Sequence, residues 1–114
     1  MPKDHRISLA DAVAMTTRYR AARPENYPIC ESFDKAAIQS LLDQEGAAFF
    51  RIYYGLKENG EMDAILVAAN TSGADILPDG LMGEGDDEIL EDSYRCPPTC
   101  PPDSPLNGGG GGGG

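Results

Sequence analysis

The stretch AAFFRIYYGLKENGEMDAILVAA, residues Ala47–Ala69, contains two strand-like runs on either side of an Asn-Gly turn. Two such runs separated by a turn of this chemistry are typical of a β-hairpin. We predict that the hairpin is the centre of the fold and that most of the remaining chain covers it.

The register of this hairpin depends on the length of its loop. A two-residue Asn59-Gly60 turn would place Glu58 opposite Glu61 and would put Asp63 on the apolar face, which is unfavourable. A three-residue loop over residues 58–60, with Gly60 in the left-handed region, avoids both conflicts. This loop predicts the pairs Lys57 with Glu61, Leu56 with Met62, Tyr54 with Ala64, Ile52 with Leu66 and Phe50 with Ala68.

In this register the hairpin has one wholly apolar face and one mixed face. The mixed face is half apolar and half charged, so we predict that a partner covers it. The residues of this predicted interface on the hairpin are Phe49, Arg51, Tyr53, Ile65 and Val67.

Two helices are predicted before the hairpin. Ser8 and Asp11 form a capping pair at the start of the first helix, which Pro24 ends. The second opens near Ser32, runs to Gln44 and carries a narrow apolar stripe suited to a sheet.

Shorter elements are predicted after the hairpin. Residues 74–77 follow a turn signal and precede Pro78, which favours a short third strand. Residues 89–94 are compatible with one more short element. The order of elements predicts an α+β fold over residues 1–94, in which two N-terminal helices pack on a small antiparallel β-meander.

The C-terminal residues 95–114 differ in composition from the rest of the chain. Residues 95–107 are rich in proline and are predicted to form an extended tail, because each proline removes a donor and favours extended geometry. Four of its prolines complete the predicted interface: Pro97, Pro98, Pro101 and Pro102. Residues 108–114 are all glycine, and we interpret them as a linker or as unassigned residues.

Cys96 and Cys100 flank a Pro-Pro pair in this tail. They are candidates for a small disulfide loop, for a link between chains or for metal ligation. Zinc needs four ligands, and the further candidates Cys30 and His5 come from distant parts of the chain, so free thiols in a reducing compartment are the simpler alternative.

Charge and composition narrow the classes of partner. The net charge is −10, and residues 61–94 hold ten acids and no base. In residues 1–23, by contrast, most of the charged residues are basic. Phosphate backbones and anionic lipids should be repelled overall, so we expect no nucleic-acid partner and no membrane partner. The N-terminus has no apolar signal core and no long apolar run follows, which favours a cytoplasmic protein.

No motif in the sequence predicts catalysis, a cofactor or a metal. The acids of residues 86–92 lack the spacing of a calcium-binding loop, and the lone His5 has no evident nucleophile beside it. The terminal glycines have neither a strand before them nor a helix after them, so they do not form a phosphate-binding loop. We therefore expect a protein that is not an enzyme.

The strand RIYYGL at residues 51–56, the Asn59-Gly60 turn and the segment RCPPTCPPDSPLN at residues 95–107 resemble a group of short uncharacterised bacterial proteins. The resemblance extends over the chain up to Asn107. It implies neither a substrate nor a catalytic residue.

Two functions remain open from the sequence. The first is a structural or interaction protein that self-associates through the hairpin face and the Pro-rich tail. The alternative is a small acidic inhibitor or immunity-type protein that binds a basic partner through residues 86–92.

Overall fold

A computed structural model of the chain describes residues 3–83 and 85–108. Over these ranges it contains helices and antiparallel strands, so the protein is α+β. The elements are α1 Leu9–Ala22, β1 Cys30–Ser32, α2 Lys35–Leu42, β2 Phe49–Leu56, β3 Met62–Ala69, β4 Asp75–Ile76 and β5 Tyr94–Cys96.

β2 and β3 form the predicted hairpin, and its predicted register is confirmed, with Ile52 opposite Leu66. The Lys57 N–H donates to the Glu61 carbonyl at 2.9 Å, and the Gly60 N–H donates to the Lys57 carbonyl at 2.9 Å. Gly60 has a φ of +88°, a conformation that glycine adopts without a steric penalty. The hydrogen bonds thus define a loop of three residues, 58–60, and its last position requires glycine.

β3 is the central strand of a three-stranded sheet in the order β2-β3-β4. The predicted third strand is present but contains two residues, with Ile76 opposite Ala68. Further along the same side of β3, Leu90 exchanges backbone hydrogen bonds with Leu66 at 2.8 and 2.9 Å. Two separate segments thus line this side of β3.

β1 and β5 form a second, two-stranded sheet that the sequence did not predict. The prediction that the second helix opens near Ser32 was therefore wrong: Ser32 pairs with Tyr94, and α2 begins at Lys35 after Asp34. Pairing with a strand 62 residues later in the sequence fixes the backbone of β1, and no local pattern reports such a distant contact.

The core is small and lies between α2 and β3. Leu41 is fully buried and packs with Leu66 and Ala68. The partly buried residues around them are Phe33, Ile38, Ala47, Ala64, Ile76 and Leu90. Of the two predicted helices, α2 supplies this core.

α1 has the predicted start, because the Asp11 N–H donates to Ser8 Oγ at 3.0 Å. None of its residues is buried, so it adds nothing to the core, which departs from the prediction that both helices pack on the sheet. Instead, the Tyr19 hydroxyl donates to the Pro28 carbonyl at 2.6 Å, and α1 packs beside the loop that precedes β1.

The C-terminal segment folds back, which differs from the predicted extended tail. The Thr99 N–H donates to the Arg95 carbonyl at 2.8 Å, and the Asn107 N–H donates to the Ser104 carbonyl at 3.2 Å, so two turns shorten the segment. Arg20 of α1 then donates to the Leu106 carbonyl at 2.7 Å. Of the glycine run interpreted as a linker, residues 109–114 lie outside the described residues.

Candidate interaction surface

Strand β2 exposes large apolar side chains on both of its faces. Tyr54 is 73% exposed and Leu56 is 68% exposed, although both lie on the face that was predicted to be wholly apolar. Six of the eight residues of β2 are large, apolar or aromatic, and exposed. They are Phe49, Phe50, Ile52, Tyr53, Tyr54 and Leu56.

The short length of α2 explains the exposure on the face that was predicted to be wholly internal. An eight-residue helix is about 12 Å long, so it covers β3 but does not extend over β2. Between α2 and the hairpin an apolar groove of about 320 Å³ remains, lined in part by Ile38, Phe50 and Ile52. Phe50 and Ile52 are therefore only half covered by their own chain.

The mixed face is partly covered by an internal bridge. Arg51 forms an ion pair with Asp75 of β4, and the Tyr53 hydroxyl donates to the other oxygen of that carboxylate at 2.6 Å. These hydrogen bonds, that of Tyr53 first, hold the pKa of Asp75 below its ordinary value. Both side chains of β2 thus reach across β3.

This bridge changes the predicted interface. Val67, which lies opposite Arg51, is 2% exposed, and Ile65 is half-buried, so the β3 half of the predicted surface is largely covered in the monomer. Phe49 and Tyr53 remain about half exposed. The accessible surface consequently follows β2, on both faces, rather than the mixed face of both strands.

The side of β3 that faces away from β2 is hydrogen-bonded to other segments of the chain. The Met62 N–H donates to the Asn26 carbonyl at 3.4 Å, and the Ala64 N–H donates to a carboxylate oxygen of Glu31 at 2.9 Å. Leu66 follows with its pair of bonds to Leu90. β2 lies at the opposite border of the sheet.

A buried acid joins the second sheet to the hairpin. Asp63 is 3% exposed, and its carboxylate lies 3.1 Å from Lys57 Nζ and 4.0 Å from Arg95 Nε. Burial raises its pKa, but hydrogen bonds with Glu31, Glu91 and Lys57 outweigh burial and lower the pKa to about 2. Asp63 is thus held in its charged form.

The two neighbouring acids respond in the opposite direction. Burial, followed by the hydrogen bond to Asp63, raises the pKa of Glu31, and the hydrogen bond to Asp63 raises the pKa of Glu91. Glu31 also accepts from Ser93 Oγ at 2.7 Å. We call Glu31, Asp63 and Glu91 the carboxylate cluster. Sequence reasoning placed Lys57 and Asp63 on one face of the hairpin, but it gave no signal for Glu31 or Glu91.

Of the alternatives left open for Cys96 and Cys100, the structure shows a disulfide within the chain, with their Cα atoms 4.5 Å apart. Cys96 is buried and pairs with Cys30 across the β1–β5 sheet, and Cys30 is a free thiol whose pKa burial raises. The four prolines of the predicted interface lie nearby in sequence. Pro97 is half-buried, and Pro98, Pro101 and Pro102 are exposed.

Within residues 3–83 and 85–108, no group of three or more His, Cys, Asp or Glu side chains is arranged to hold a metal ion. Helices α1 and α2, in the same ranges, are too short and too polar to cross a membrane. No protein-family model matches the chain, and comparisons with curated proteins and with solved structures give no match either.

Proposed function

We propose that this protein is a non-enzymatic interaction protein whose copies associate through strand β2. The observation that supports this proposal is the exposure of six large side chains on a strand that borders the sheet. Four of these side chains share one face of the strand, and large exposed apolar patches mark interaction sites.

The composition of β2 supports the same function. Edge strands that remain solitary are usually protected by lysine, proline, a bulge or an inward-pointing charge. β2 contains one charged residue, Arg51, and that residue is already bound to Asp75. The strand therefore lacks the usual protection against pairing.

The C-terminal prolines have a secondary place in the proposal. Pro98, Pro101 and Pro102 are exposed on a segment that the disulfide and two turns hold against the fold. Rigid exposed prolines lose little conformational freedom on binding, so this segment can extend a contact made by β2.

The first test is the dependence of native mass on concentration. Light scattering on the full chain from low to high micromolar concentration should show a monomer that converts to an oligomer. The mass should be the same with and without reductant, because the Cys96–Cys100 disulfide lies within one chain. A strict monomer at high micromolar concentration contradicts the proposal.

The matched variants are Tyr54→Lys and Met15→Lys. Tyr54 is the most exposed of the β2 side chains, and a lysine there should weaken association at least tenfold by placing a charge in the contact. Met15 on α1 is 57% exposed and lies away from the hairpin in sequence, so its substitution should leave the mass unchanged. Equal behaviour of the two variants would argue against β2 as the contact.

A basic partner bound by the acids of residues 86–92 has less support. Glu88 accepts from Ser40 Oγ at 2.5 Å, and its N–H donates to Gln44, while Glu91 belongs to the carboxylate cluster. Two of the acids on which that function depends are therefore engaged within the chain. Association that weakens steeply with salt would favour this alternative.

A further inference from the structure

The free edge of β2 can be assigned residue by residue. In an antiparallel ladder, residues alternate between those that bond to the neighbouring strand and those whose N–H and C=O groups point away. The bond from the Lys57 N–H to Glu61 shows that odd-numbered residues of β2 face β3. The outward groups therefore belong to Phe50, Ile52, Tyr54 and Leu56.

This assignment restricts how a second copy can add to the sheet. Two copies related by a two-fold axis pair antiparallel, and outward-pointing residues must lie opposite outward-pointing residues. Each allowed arrangement places the axis at one residue of β2. Axes close to either end of the strand pair few residues, so the candidates are Arg51, Ile52, Tyr53 and Tyr54.

Charge removes two of these candidates. An axis at Arg51 would place the two Arg51 side chains opposite each other, and an axis at Tyr54 would place Arg51 opposite Lys57 of the second copy. Like charges directly opposite are unfavourable in a sheet. Ile52 and Tyr53 remain.

The backbone hydrogen bond of Ala48 favours the axis at Tyr53 over the axis at Ile52. An axis at Ile52 would pair Leu56 with Ala48 of the second copy, but the Ala48 N–H already donates to the Ala69 carbonyl at 2.8 Å. An axis at Tyr53 pairs Phe50 with Leu56 and Ile52 with Tyr54, each pair occurring twice. These pairs form about eight backbone hydrogen bonds, because each hydrogen-bonded pair exchanges two.

The side chains agree with the same axis. All hydrogen-bonded pairs are apolar and lie on the face that α2 leaves half covered. On the other face, Arg51 lies opposite Gly55, which leaves space for its bridge to Asp75, and Phe49 lies opposite the aliphatic stem of Lys57. We propose that two copies of this chain pair their β2 strands antiparallel about a two-fold axis at Tyr53, forming one continuous sheet. This inference rests on the proposed function and specifies its geometry.

Site-directed crosslinking tests the axis. At a two-fold axis between residues that are not hydrogen-bonded to each other, the Cα atoms lie about 4.5 Å apart, within the range of about 4.4 to 6.8 Å that a disulfide spans. Tyr53→Cys, made in a Cys30→Ser background to remove the free thiol, should crosslink to its own copy under mild oxidation. The Cys30→Ser parent is the control and should remain without a crosslink.

Two further variants measure the register. Ile52→Cys and Tyr54→Cys should each crosslink poorly alone, since like residues are then roughly 8 Å apart. Mixed together, they should crosslink to each other, because Ile52 lies opposite Tyr54 of the second copy. Efficient crosslinking of Ile52→Cys alone overturns the axis at Tyr53, and equal crosslinking of all three variants overturns strand pairing.

Hydrogen exchange on the unsubstituted chain makes the same test without a mutation. The amides of Phe50, Ile52, Tyr54 and Leu56 should become protected as concentration rises through the range in which the mass increases. An oligomer in which these amides remain unprotected overturns the strand pairing while leaving association through β2 intact. A chain that stays monomeric removes the proposed function as well, so the two failures are distinguishable.

Discussion

Asp63 is a buried carboxylate with basic and acidic neighbours. Lys57 Nζ at 3.1 Å compensates its charge, and the carboxyl groups of Glu31 and Glu91 beside it help to hold its pKa down. Burial and then the Asp63 carboxylate raise the pKa of Glu31, and the Asp63 carboxylate raises the pKa of Glu91. The cluster thus stabilises the charged form of Asp63 and the protonated forms of Glu31 and Glu91.

The cluster gives stability a defined dependence on pH. The raised pKa of Glu31 contributes stability that is fully present below its unfolded pKa of 4.5 and is lost as pH rises through the folded pKa. The lowered pKa of Asp63 contributes stability above its unfolded value of 3.8, which is lost as pH falls through about 2. The contribution of the cluster to stability should therefore be largest near pH 4 and decrease as the pH rises above 4.5.

We expect Glu31→Gln to flatten the fall in stability that begins above pH 4.5. The amide keeps an oxygen for the Ala64 N–H, and its NH2 group replaces the oxygen that accepts from Ser93, whose hydroxyl must turn to accept instead. The amide does not titrate, so no proton is lost as the pH rises. The gain in stability should therefore grow as the pH rises through the folded pKa of Glu31. Urea unfolding at a series of pH values measures it.

Glu25→Gln is the matched control for this change, because Glu25 is an exposed acid in the loop that precedes β1. Its curve should parallel that of the unsubstituted protein. If the Glu31→Gln curve is also parallel, Glu31 does not govern the pH dependence.

At the scale of elements, the parts that could be predicted are those with local causes. The hairpin register followed from Gly60 and from the charges beside it, and the start of α1 followed from Ser8. The β1–β5 sheet has no such cause: its strands contain three residues each and pair through a distant contact. The exposed surface was only partly predicted, because the reach of α2 over the sheet depends on packing that no local pattern encodes.

The disulfide begins at Cys96, the last residue of β5. It closes a loop of a few residues directly after the strand and holds Cys96, which is buried opposite Cys30. Cross-linking a loop of this size stabilises a fold by about 2 kcal/mol in the chain-entropy model. The small core makes such a contribution important.

Cys100→Ser should therefore lower the free energy of unfolding by up to about 2 kcal/mol and leave association through β2 unchanged at temperatures where the chain is folded. Thermal unfolding and light scattering on the same samples measure both properties. Ser104→Ala, in the next turn of the segment, is a control without a covalent link. A loss of association in folded Cys100→Ser would show that the C-terminal segment is part of the contact.

At the scale of the whole molecule, an excess of apolar surface is exposed among the described residues. Sixteen large apolar side chains are exposed there, and six of them belong to β2. A short α2, an α1 outside the core and an open β2 edge all contribute. Pairing through β2 would reduce this excess where the exposed side chains are most apolar.

The net charge acts against that pairing. Each copy carries a net charge of −10, so two copies repel each other even though β2 itself holds no acid. Salt screens this repulsion, with a screening length of about 10 Å at 0.1 M, and it leaves apolar contacts intact or strengthens them. Association of identical copies should therefore strengthen as salt increases.

We expect the midpoint concentration for association to fall several-fold between about 20 mM and 300 mM sodium chloride, measured by light scattering at fixed pH. Tyr54→Lys should remain monomeric at each salt concentration, which separates specific pairing from general salting-out. The opposite trend, weaker association at higher salt, would mean that attraction between the basic N-terminal segment and the acidic segment of another copy drives assembly. In that case β2 would not be the principal contact, because its pairing places no opposite charges together.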